Sequence, residues 1–338
     1  MTIKDIARES GYAVGTVSRV LNNHPCVSEE ARKRVMEVVE KYHFRLNTNA
    51  KHLKQQANSG IAIIVKGKNN MLFAGLVESL QKMIKARGFA SVLYYITEED
   101  HEVEQAMQIC RERQPMGILF LGSNKENFQQ RFASVEIPCV RVTNSAAELD
   151  FDNLSSVCID DVSAGKIAVE HLLELGHREI GIIAGDMSSS NPASDRFKGC
   201  MQAFEQYGIA FDQVTQVEET NFTFDGGYRA MKRLLVKSPD ITAVFAMSDV
   251  TAMGAIRAAK DFGKDVPTDI SVVGFDGIEM GQYMVPNLTT IQQPSDKIAS
   301  RCVDILLECI TENSPSVREI IPFTLIKGES TQKLLTEE

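Results

Sequence analysis

The feature that most constrains this chain is an alternation of short apolar runs with helical patterns, which begins at Gly60 and continues to the C-terminus. The runs are rich in β-branched residues and have the length of strands. The predicted strands are Ile61–Val65, Ser91–Ile96, Gly117–Gly122, Ile137–Val142, Val157–Asp160, Ile180–Ala184, Ala243–Met247, Ile270–Phe275 and Ile320–Ile326. Helical patterns such as Ser163–Leu175 and Thr251–Phe262 lie between them. Continuous apolar strands that alternate with helices indicate parallel sheets covered on both faces.

The number of these units predicts how the body is organised. About ten strand–helix units are more than one small sheet holds, so we expect two doubly wound lobes with a cleft between them. In open sheets of this kind, ligands bind beyond the carboxyl ends of the strands. Binding residues should therefore follow the predicted strands directly.

Residues 1–58 show a different pattern, three short helices. Thr2 is placed to cap the first, and Gly11 to end it, because glycine accepts a positive φ without steric cost. The second runs from about Val14 to Leu21, and Ser28 caps the third. Apolar residues that recur at helical spacing are Ile3, Ile6, Ala7, Val14, Val17, Val20, Leu21, Ala31, Val35, Val38, Val39 and Tyr42. Three short helices with a tight turn between the first two indicate a helix-turn-helix domain, all-α in class.

The second helix is the predicted recognition helix. Its face opposite the valines carries Gly15, Thr16, Ser18 and Arg19. Arg19 can reach a guanine edge or a phosphate, and the two hydroxyls suit phosphate oxygens. Val14 and Gly15 offer no hydrogen-bonding side chain, so base reading should depend on Arg19 and on apolar contact with thymine methyl groups.

Charge separates the same two regions. Residues 1–58 carry ten Lys/Arg and six Asp/Glu, a net charge of +4, whereas the rest carries 26 and 39, a net charge of −13. A basic head on an acidic body suits a phosphate-binding domain joined to one with another ligand. No secretory signal or apolar run long enough to span a bilayer is visible, and the seven cysteines form no Cys-x-x-Cys pair. We therefore expect a cytoplasmic protein with free thiols.

The head resembles that of the lactose-repressor/galactose-repressor (LacI/GalR) family of transcriptional regulators. The matching residues are Ile3-Lys4-Asp5-Ile6-Ala7, Gly11, Gly15-Thr16-Val17-Ser18-Arg19-Val20-Leu21-Asn22, Val27-Ser28-Glu29-Glu30 and Arg32. The resemblance implies a hinge helix after the head, with Asn47, Ala50 and Leu53 at its pattern positions and Leu53 as a wedge in the minor groove. One departure is Leu46, which stands where the family usually has proline before the hinge asparagine. The predicted DNA contacts are Thr2, Val14, Gly15, Thr16, Ser18, Arg19, Asn22, Asn47, Ala50 and Leu53.

The body resembles the same family, whose effector domain has a periplasmic-binding-protein fold. The matching stretches are Val169–Leu172, Leu175–Ile180, Asp195–Gly199, Ser248-Asp249, Ala252–Ala255, Asp269–Asp276 and Leu288–Pro294. The resemblance implies three crossings between the lobes. We expect a helix-turn-helix domain at 1–46, a hinge and linker at 47–59, and an α/β body at 60–338. The N-lobe would combine about 60–160 with 292–320, and the C-lobe about 161–291 with 321–338.

Several residues fall at the predicted ligand-binding edges. Asp249 and Asp276 follow strands, and Arg196 opens a helix after one, so their charged groups can bind vicinal hydroxyls or an anion. The resemblance supports the effector contacts Asn70, Phe73, Arg196, Phe222, Ser248, Asp249 and Asp276. Three of these have a structural alternative: Asp249 as a helix cap, Phe73 as core, and Asp276 as a link between the lobes. Thr143 stands where relatives often carry a sugar-binding acid, which puts a simple neutral sugar in doubt.

Three functions follow from these patterns. The first is a homodimeric regulator, such as a repressor, that binds a palindromic DNA operator under the control of a sugar or similar metabolite, without cofactor or metal. The second is a catabolite-control type, whose co-effector is a phosphorylated carrier protein. The third, an enzyme fused to a DNA-binding head, is disfavoured because the chain lacks a phosphate loop, a dinucleotide fingerprint and a nucleophile elbow.

Overall fold

The structure is a computed structural model of the 338-residue chain. It describes residues 3–21, 27–42, 60–67, 70–187 and 192–334. The chain divides into two compact units, Met1–Ala57 and Asn58–Glu338, here called the head and the body. The predicted hinge residues Asn47, Ala50 and Leu53 lie outside the described residues.

The head contains the three predicted helices, α1 (Ile3–Ser10), α2 (Val14–Leu21) and α3 (Glu29–Lys41). Gly11 ends α1 with a φ of +79°. Ser28 caps α3, because its hydroxyl accepts a hydrogen bond from the Ala31 backbone N–H at 3.3 Å. The buried apolar residues of the head are Ile6, Ala7, Val17, Val20, Ala31, Val35 and Val38.

Two of the recurring apolar residues of the head lie on its surface. Val14 is 42% exposed, and Tyr42, which was predicted to face inward, is 39% exposed. Tyr42 is the C-cap of α3, where the backbone leaves the helix, so helical spacing no longer sets its direction. Its hydroxyl donates to Glu9 Oε2 at 3.4 Å.

The body consists of two six-stranded sheets flanked by helices. The N-lobe sheet has the order β11-β5-β4-β3-β1-β2 and the C-lobe sheet the order β12-β10-β9-β8-β6-β7. Every pairing is parallel except that of β10 with β12. The strands are β1 (Ile61–Lys66), β2 (Ser91–Ile96), β3 (Gly117–Leu121), β4 (Cys139–Val142), β5 (Leu154–Cys158), β6 (Ile180–Ala184), β7 (Val217–Glu219), β8 (Ala243–Ala246), β9 (Ser271–Asp276), β10 (Thr289–Gln292), β11 (Arg318–Ile320) and β12 (Thr324–Ile326).

Helices connect these strands in the alternation that the sequence predicts. They are α4 (Met71–Ala86), α5 (Glu102–Arg113), α6 (Lys125–Arg131), α7 (Asp161–Glu174), α8 (Pro192–Gln206), α9 (Gln213–Gln216), α10 (Phe224–Lys237), α11 (Asp249–Asp261), α12 (Met280–Tyr283) and α13 (Ser295–Thr311). The inner strands are buried except at Lys66 of β1 and Gln292 of β10, which are half-buried, as expected for sheets covered on both faces.

The chain passes between the lobes at the carboxyl edges of both sheets. The N-lobe strand β5 ends at Cys158, and the C-lobe helix α7 begins at Asp161. In the other direction, β10 ends at Gln292, and α13, which packs on the N-lobe strands, begins at Ser295. Because both connections leave from the carboxyl end of a parallel strand and are this short, the carboxyl edges of the two sheets meet at the boundary between the lobes.

At the third crossing between the lobes, the structure differs from one predicted strand. The predicted single strand Ile320–Ile326 is two strands, β11 in the N-lobe sheet and β12 in the C-lobe sheet. Pro322 separates them, because proline has no N–H for a strand ladder and restricts the residue before it. Ile321 still donates its backbone N–H to the Cys158 carbonyl at 2.8 Å, so the chain turns toward the C-lobe only at the proline.

Glycines allow two helix pairs of the C-lobe to pack unusually closely. A Cβ on Gly165 of α7 would overlap the backbone of Arg196, and one on Gly199 of α8 would overlap the carbonyl oxygen of Val162. The pair α10 and α11 repeats this arrangement through Gly227 and Gly254. The α7–α8 contact matters for the site, because it places Arg196 against the first crossing.

We expect Gly199→Ala to destabilise the body by about 1–3 kcal/mol, because the added methyl group forces the two helix backbones apart. The matched control is Gly75→Ala in α4, where a Cβ would meet no atom within 4 Å. That change should stabilise by about 0.5–1 kcal/mol through helix propensity. Urea unfolding followed by circular dichroism measures both, and equal stability of Gly199→Ala and wild type would contradict the packing argument.

Candidate DNA-binding surface and effector site

The surface of α2 matches the predicted recognition face. Val17 and Val20 are buried in the head, whereas Val14, Gly15 and Arg19 are exposed and Thr16 is half-buried. The free face of α2 therefore combines a guanidinium, a hydroxyl and a stretch without polar side chains. Five further predicted DNA contacts, and the side chain of Ser18, lie outside the described part of the chain: Thr2, Asn22, Asn47, Ala50 and Leu53.

Arg196 is held at the first crossing by an ion pair. Its Nε donates to Asp161 Oδ1 at 2.8 Å, and Nη1 donates to the carbonyl of Met247, which follows β8, at 2.7 Å. The guanidinium carbon lies 3.6 Å from the centroid of the Phe275 ring. Burial raises the pKa of Asp161 to about 6, although Arg196 opposes that shift. Arg196 thus joins α7, α8 and the ends of β8 and β9, and part of its charge is neutralised by Asp161.

Asp276 ends β9 in a conformation that L-residues rarely adopt, with a φ of +117°. Its Oδ1 accepts from Gln293 Nε2 at 2.9 Å, and its carbonyl accepts from the Gln293 backbone N–H at 3.0 Å. Burial raises the pKa of Asp276 to about 7, with the nearby Arg196 opposing the shift. Asp276 therefore contacts the second crossing, as the structural alternative for this residue proposed, and lies within electrostatic reach of Arg196.

Asp249 has a different role from its neighbour Ser248. The Ser248 hydroxyl caps α11 by accepting from the Thr251 N–H at 3.2 Å, so Asp249 does not act as the side-chain cap. Asp249 Oδ2 accepts from the Ile278 N–H at 2.8 Å, and Oδ1 accepts from Thr290 Oγ1 at 2.5 Å. Burial first, and then repulsion from Asp276, raise the pKa of Asp249 to about 8. Asp249 thus ties the loop after β9 to β10.

The two predicted aromatic contacts, one in each lobe, both pack on a glycine that directly follows a strand. Phe73, at the start of α4, packs on Gly122 directly after β3, and a Cβ there would overlap its ring. Phe222, in the loop before α10, packs in the same way on Gly185 directly after β6. Phe73 is 9% exposed and Phe222 is half-buried. Both rings therefore lie at the carboxyl edges where the lobes meet.

Asn70 combines its predicted position with a capping role. Its Oδ1 accepts from the backbone N–H groups of Leu72 and Phe73 at 3.0 and 3.4 Å, which starts α4 at the edge of the N-lobe. The NH2 group of the Asn70 side chain is then the group that can donate to a ligand.

Sequence reasoning missed Asp161, Thr290 and Gln293. Asp161 follows directly on a predicted strand end, the same signal that identified Asp249 and Asp276. Gln293 lies within a quoted family stretch, but only the sheet register brings it to Asp276. Its Oε1 is buried without a hydrogen-bond partner among the described residues. The carboxyl edge of the C-lobe thus holds three buried carboxyl groups, of which those of Asp161 and Asp276 lie near the Arg196 guanidinium.

Comparison with known proteins gives the same division of the chain. Residues 2–47 match the family described as bacterial regulatory proteins, lacI family, and residues 169–331 match the periplasmic binding protein-like domain. The HTH-type transcriptional regulator MalR of Clostridium butyricum is 33% identical over 337 residues, which cover 98% of this chain and 99% of the relative.

Two solved structures resemble the whole chain. The complex of the transcriptional regulator CelR with cellobiose is 28% identical, covers 98% of this chain and 99% of its own, and superposes with a TM-score of 0.72. The Lac repressor dimer bound to operator and the anti-inducer ONPF is 23% identical, with coverage of 98% and 99% and a TM-score of 0.79, and shares the fold.

A three-helix head that matches a DNA-binding family, joined to a two-lobed α/β body, defines a class of DNA-binding transcriptional regulators, not enzymes. The chain belongs to the LacI family of these regulators. The predicted fold class is confirmed. None of the helices in the described ranges is long and apolar enough to cross a membrane. Within the same ranges, no group of three His, Cys, Asp or Glu residues could hold a metal ion.

The buried carboxyl groups predict a pH-dependent stability. A carboxyl group whose pKa is raised to about 8 in the folded protein, from an ordinary 3.8, holds a proton that the unfolded chain has released. Stability should therefore fall as the pH rises from about 4 to about 8, by up to about 1.4 kcal/mol per pH unit for one such group.

Asp249→Asn should make this decline shallower. The amide imitates the protonated acid, because its NH2 can donate to Thr290 Oγ1 while its oxygen accepts from the Ile278 N–H. Urea unfolding at pH 5, 6, 7 and 8 measures the slope, with Asp240→Asn at an exposed position as the control. A slope identical to that of the wild type would show that Asp249 is ionised throughout this range.

Proposed function

We propose that this regulator binds a palindromic operator as a homodimer and that a sugar or related metabolite, bound where the two lobes meet, changes its affinity for DNA. The observation that carries the proposal is the convergence of Arg196, Asp249, Asp276, Phe73 and Phe222 on the carboxyl edges of the two sheets. The head would comprise 1–46, the hinge and linker 47–59, and the body 60–338, with the lobe boundaries given above. DNA as the target also supports a cytoplasmic location.

The effector would act through the crossings. Arg196 and Asp161 lie at the first crossing, and Asp276 and Gln293 at the second, so a ligand bound there contacts the segments that set the angle between the lobes. A ligand changes DNA affinity only if it binds the two lobe arrangements unequally. The cellobiose complex of CelR supports a small molecule over the phosphorylated carrier protein as the effector.

Dimerisation is supported by apolar side chains on the surface of the body. Val92 and Tyr95 of the edge strand β2 are 46% and 49% exposed, and Tyr283 and Val285 of the C-lobe are 76% and 92% exposed. Exposed aromatic and aliphatic side chains of this size favour a protein interface. Two heads on a two-fold axis match a palindromic operator, and the Lac repressor structure is a dimer on its operator.

We expect Arg19→Ala to weaken binding to the operator by about tenfold to hundredfold, because a guanidinium contact with a guanine edge contributes about 1–3 kcal/mol. The measurement is a gel shift with fragments upstream of the protein's own gene, against unrelated DNA of equal length. The control is Arg34→Ala, which removes an exposed guanidinium from α3 and should leave the ratio of specific to non-specific affinity unchanged. If no upstream fragment gives a specific shift, the proposed function is wrong.

The effector site can be tested by thermal shift with maltose, cellobiose, ribose and guanine. We expect one of these probes to raise the melting temperature of the wild type. Arg196→Lys should weaken the apparent affinity for that probe at least tenfold, because lysine keeps the charge but cannot form the planar fork. Arg178→Lys is the control, since Arg178 precedes β6 and donates to the Leu173 and His177 carbonyls at the opposite edge of the sheet. An unchanged thermal shift in Arg196→Lys would show that Arg196 does not contact the ligand.

A further inference from the structure

Arg141 of β4 is the largest fully buried side chain among the residues that the structure describes, with 2% exposure. Its guanidinium donates to oxygen atoms of two different loops. Nε donates to Ser123 Oγ at 2.9 Å, Nη2 to the Ser123 carbonyl at 3.1 Å, and Nη1 to the Ser145 carbonyl. The guanidinium also packs on the Phe128 ring, with its carbon atom 4.9 Å from the ring centroid. A buried charge is expensive, so these contacts require an explanation beyond filling the core.

The two loops leave neighbouring strands at the carboxyl edge of the N-lobe. Residues 122–124 follow β3, and residues 143–146 follow β4. Each loop begins with a residue in the left-handed region, Gly122 with a φ of +69° and Thr143 with a φ of +66°. Glycine adopts this conformation freely, but for a β-branched residue such as threonine it is strained and persists only when the surroundings hold it. Arg141 contacts both loops one or two residues beyond these turns.

The first loop also has hydrogen bonds to a buried carboxylate. Glu102 of α5, which is 1% exposed, accepts from the Asn124 backbone N–H at 2.6 Å and from Asn127 Nδ2 at 2.9 Å. Lys66 at the end of β1 donates to the same carboxylate at 3.0 Å. The buried acid Glu102 and the buried base Arg141 thus both hydrogen-bond to the loop after β3 and connect it to the ends of β1 and β4.

We propose that Arg141 is a positioning residue for effector binding, which fixes the turns at Gly122 and Thr143 and thereby the N-lobe wall of the site. The inference rests on the proposed function, because it takes the meeting edges of the lobes as the effector site. Gly122 is the residue on which Phe73 packs, and Thr143 directly follows β4 at the same carboxyl edge of the N-lobe sheet. The planar guanidinium, with donors in fixed directions, sets the distance between the two loops in a way that an apolar side chain cannot.

Hydrogen–deuterium exchange of the full chain tests the positioning role without a ligand. In Arg141→Met and in the milder Arg141→Lys, we expect the amides of residues 123–124 and 144–146 to exchange at least tenfold faster, while those of the C-lobe stay unchanged. Arg318→Met is the matched control, because Arg318 donates to the carbonyls of Ala146 and Leu149 but not to residue 123. Residues 123–124 should keep wild-type protection in that control.

Two results would overturn the proposal. One is unchanged protection of both loops in the Arg141 variants. The other is a loss of protection spread evenly over the N-lobe, which is what a side chain that only fills the core would produce.

A double substitution isolates the strained turn. Thr143→Gly allows the left-handed conformation without strain, so the turn then needs less support. In the Thr143→Gly background, Arg141→Met should accelerate exchange of residues 144–146 by less than half the factor seen in the wild-type background. An equal factor in both backgrounds would show that Arg141 does not hold this turn.

Binding of the probe sugars maltose, cellobiose and ribose tests whether Arg141 affects effector binding. For a sugar that stabilises the wild type, Arg141→Met should raise its Kd at least tenfold and leave operator affinity without sugar unchanged. An unchanged Kd would refute the link. If no sugar binds the wild type, that result counts against the effector site of the proposed function, while the exchange measurements still decide whether Arg141 holds the turns.

Discussion

The ion pair between Arg196 and Asp161 lies where the chain first passes from one lobe to the other, and the rest of the body is arranged around that passage. The connections are only a few residues long and leave from the carboxyl ends of strands, so the two sheets must present the same edges to each other. The polar side chains Asp161, Arg196, Asp249 and Asp276 at the C-lobe edge are buried. They therefore need partners within the protein, and Arg196, Gln293 and Thr290 provide them.

The two edges satisfy this requirement differently. At the N-lobe edge, one buried acid has basic side chains near it, since Glu102 and Arg141 both hydrogen-bond to the loop after β3 and Lys66 donates to the Glu102 carboxylate. At the C-lobe edge, Asp161 and Asp276 lie near the Arg196 guanidinium, Asp249 lies within electrostatic reach of Asp276, and burial raises the pKa of all three. Ionising these acids together is costly unless more hydrogen-bond donors are present. A ligand rich in hydroxyl groups supplies such donors, which ties the electrostatics of the C-lobe edge to the class of effector proposed.

The sequence predicted those elements in which local pattern and tertiary packing agree. The bounds of α2 and the cap at Ser28 follow from spacing and side-chain chemistry alone, and most strands of the body lie within a residue or two of the predicted runs. The prediction failed at Pro322, where one residue divides an apolar run between two sheets. Of the two readings of Asp249, the helix cap is excluded, because Ser248 caps α11 and the Asp249 carboxyl group bonds with Thr290 instead. Arg141 and Gln293 could not be recognised in advance, because their roles depend on strand register and on loops far apart in the sequence.

The exposed face of α2 raises a question that packing within the protein does not answer. Gly15 lies inside a helix, where glycine is less stable than alanine by about 0.5–1 kcal/mol. Its backbone has no positive φ, and a Cβ there would meet no atom within 4 Å among the described residues. Neither conformation nor packing in the described head therefore requires glycine at this position. The absence of a side chain instead suits a surface that another molecule approaches closely. We infer that this molecule is the operator of the proposed function, because a close approach of the α2 backbone would bring Arg19, on the same exposed helix, within reach of a base edge.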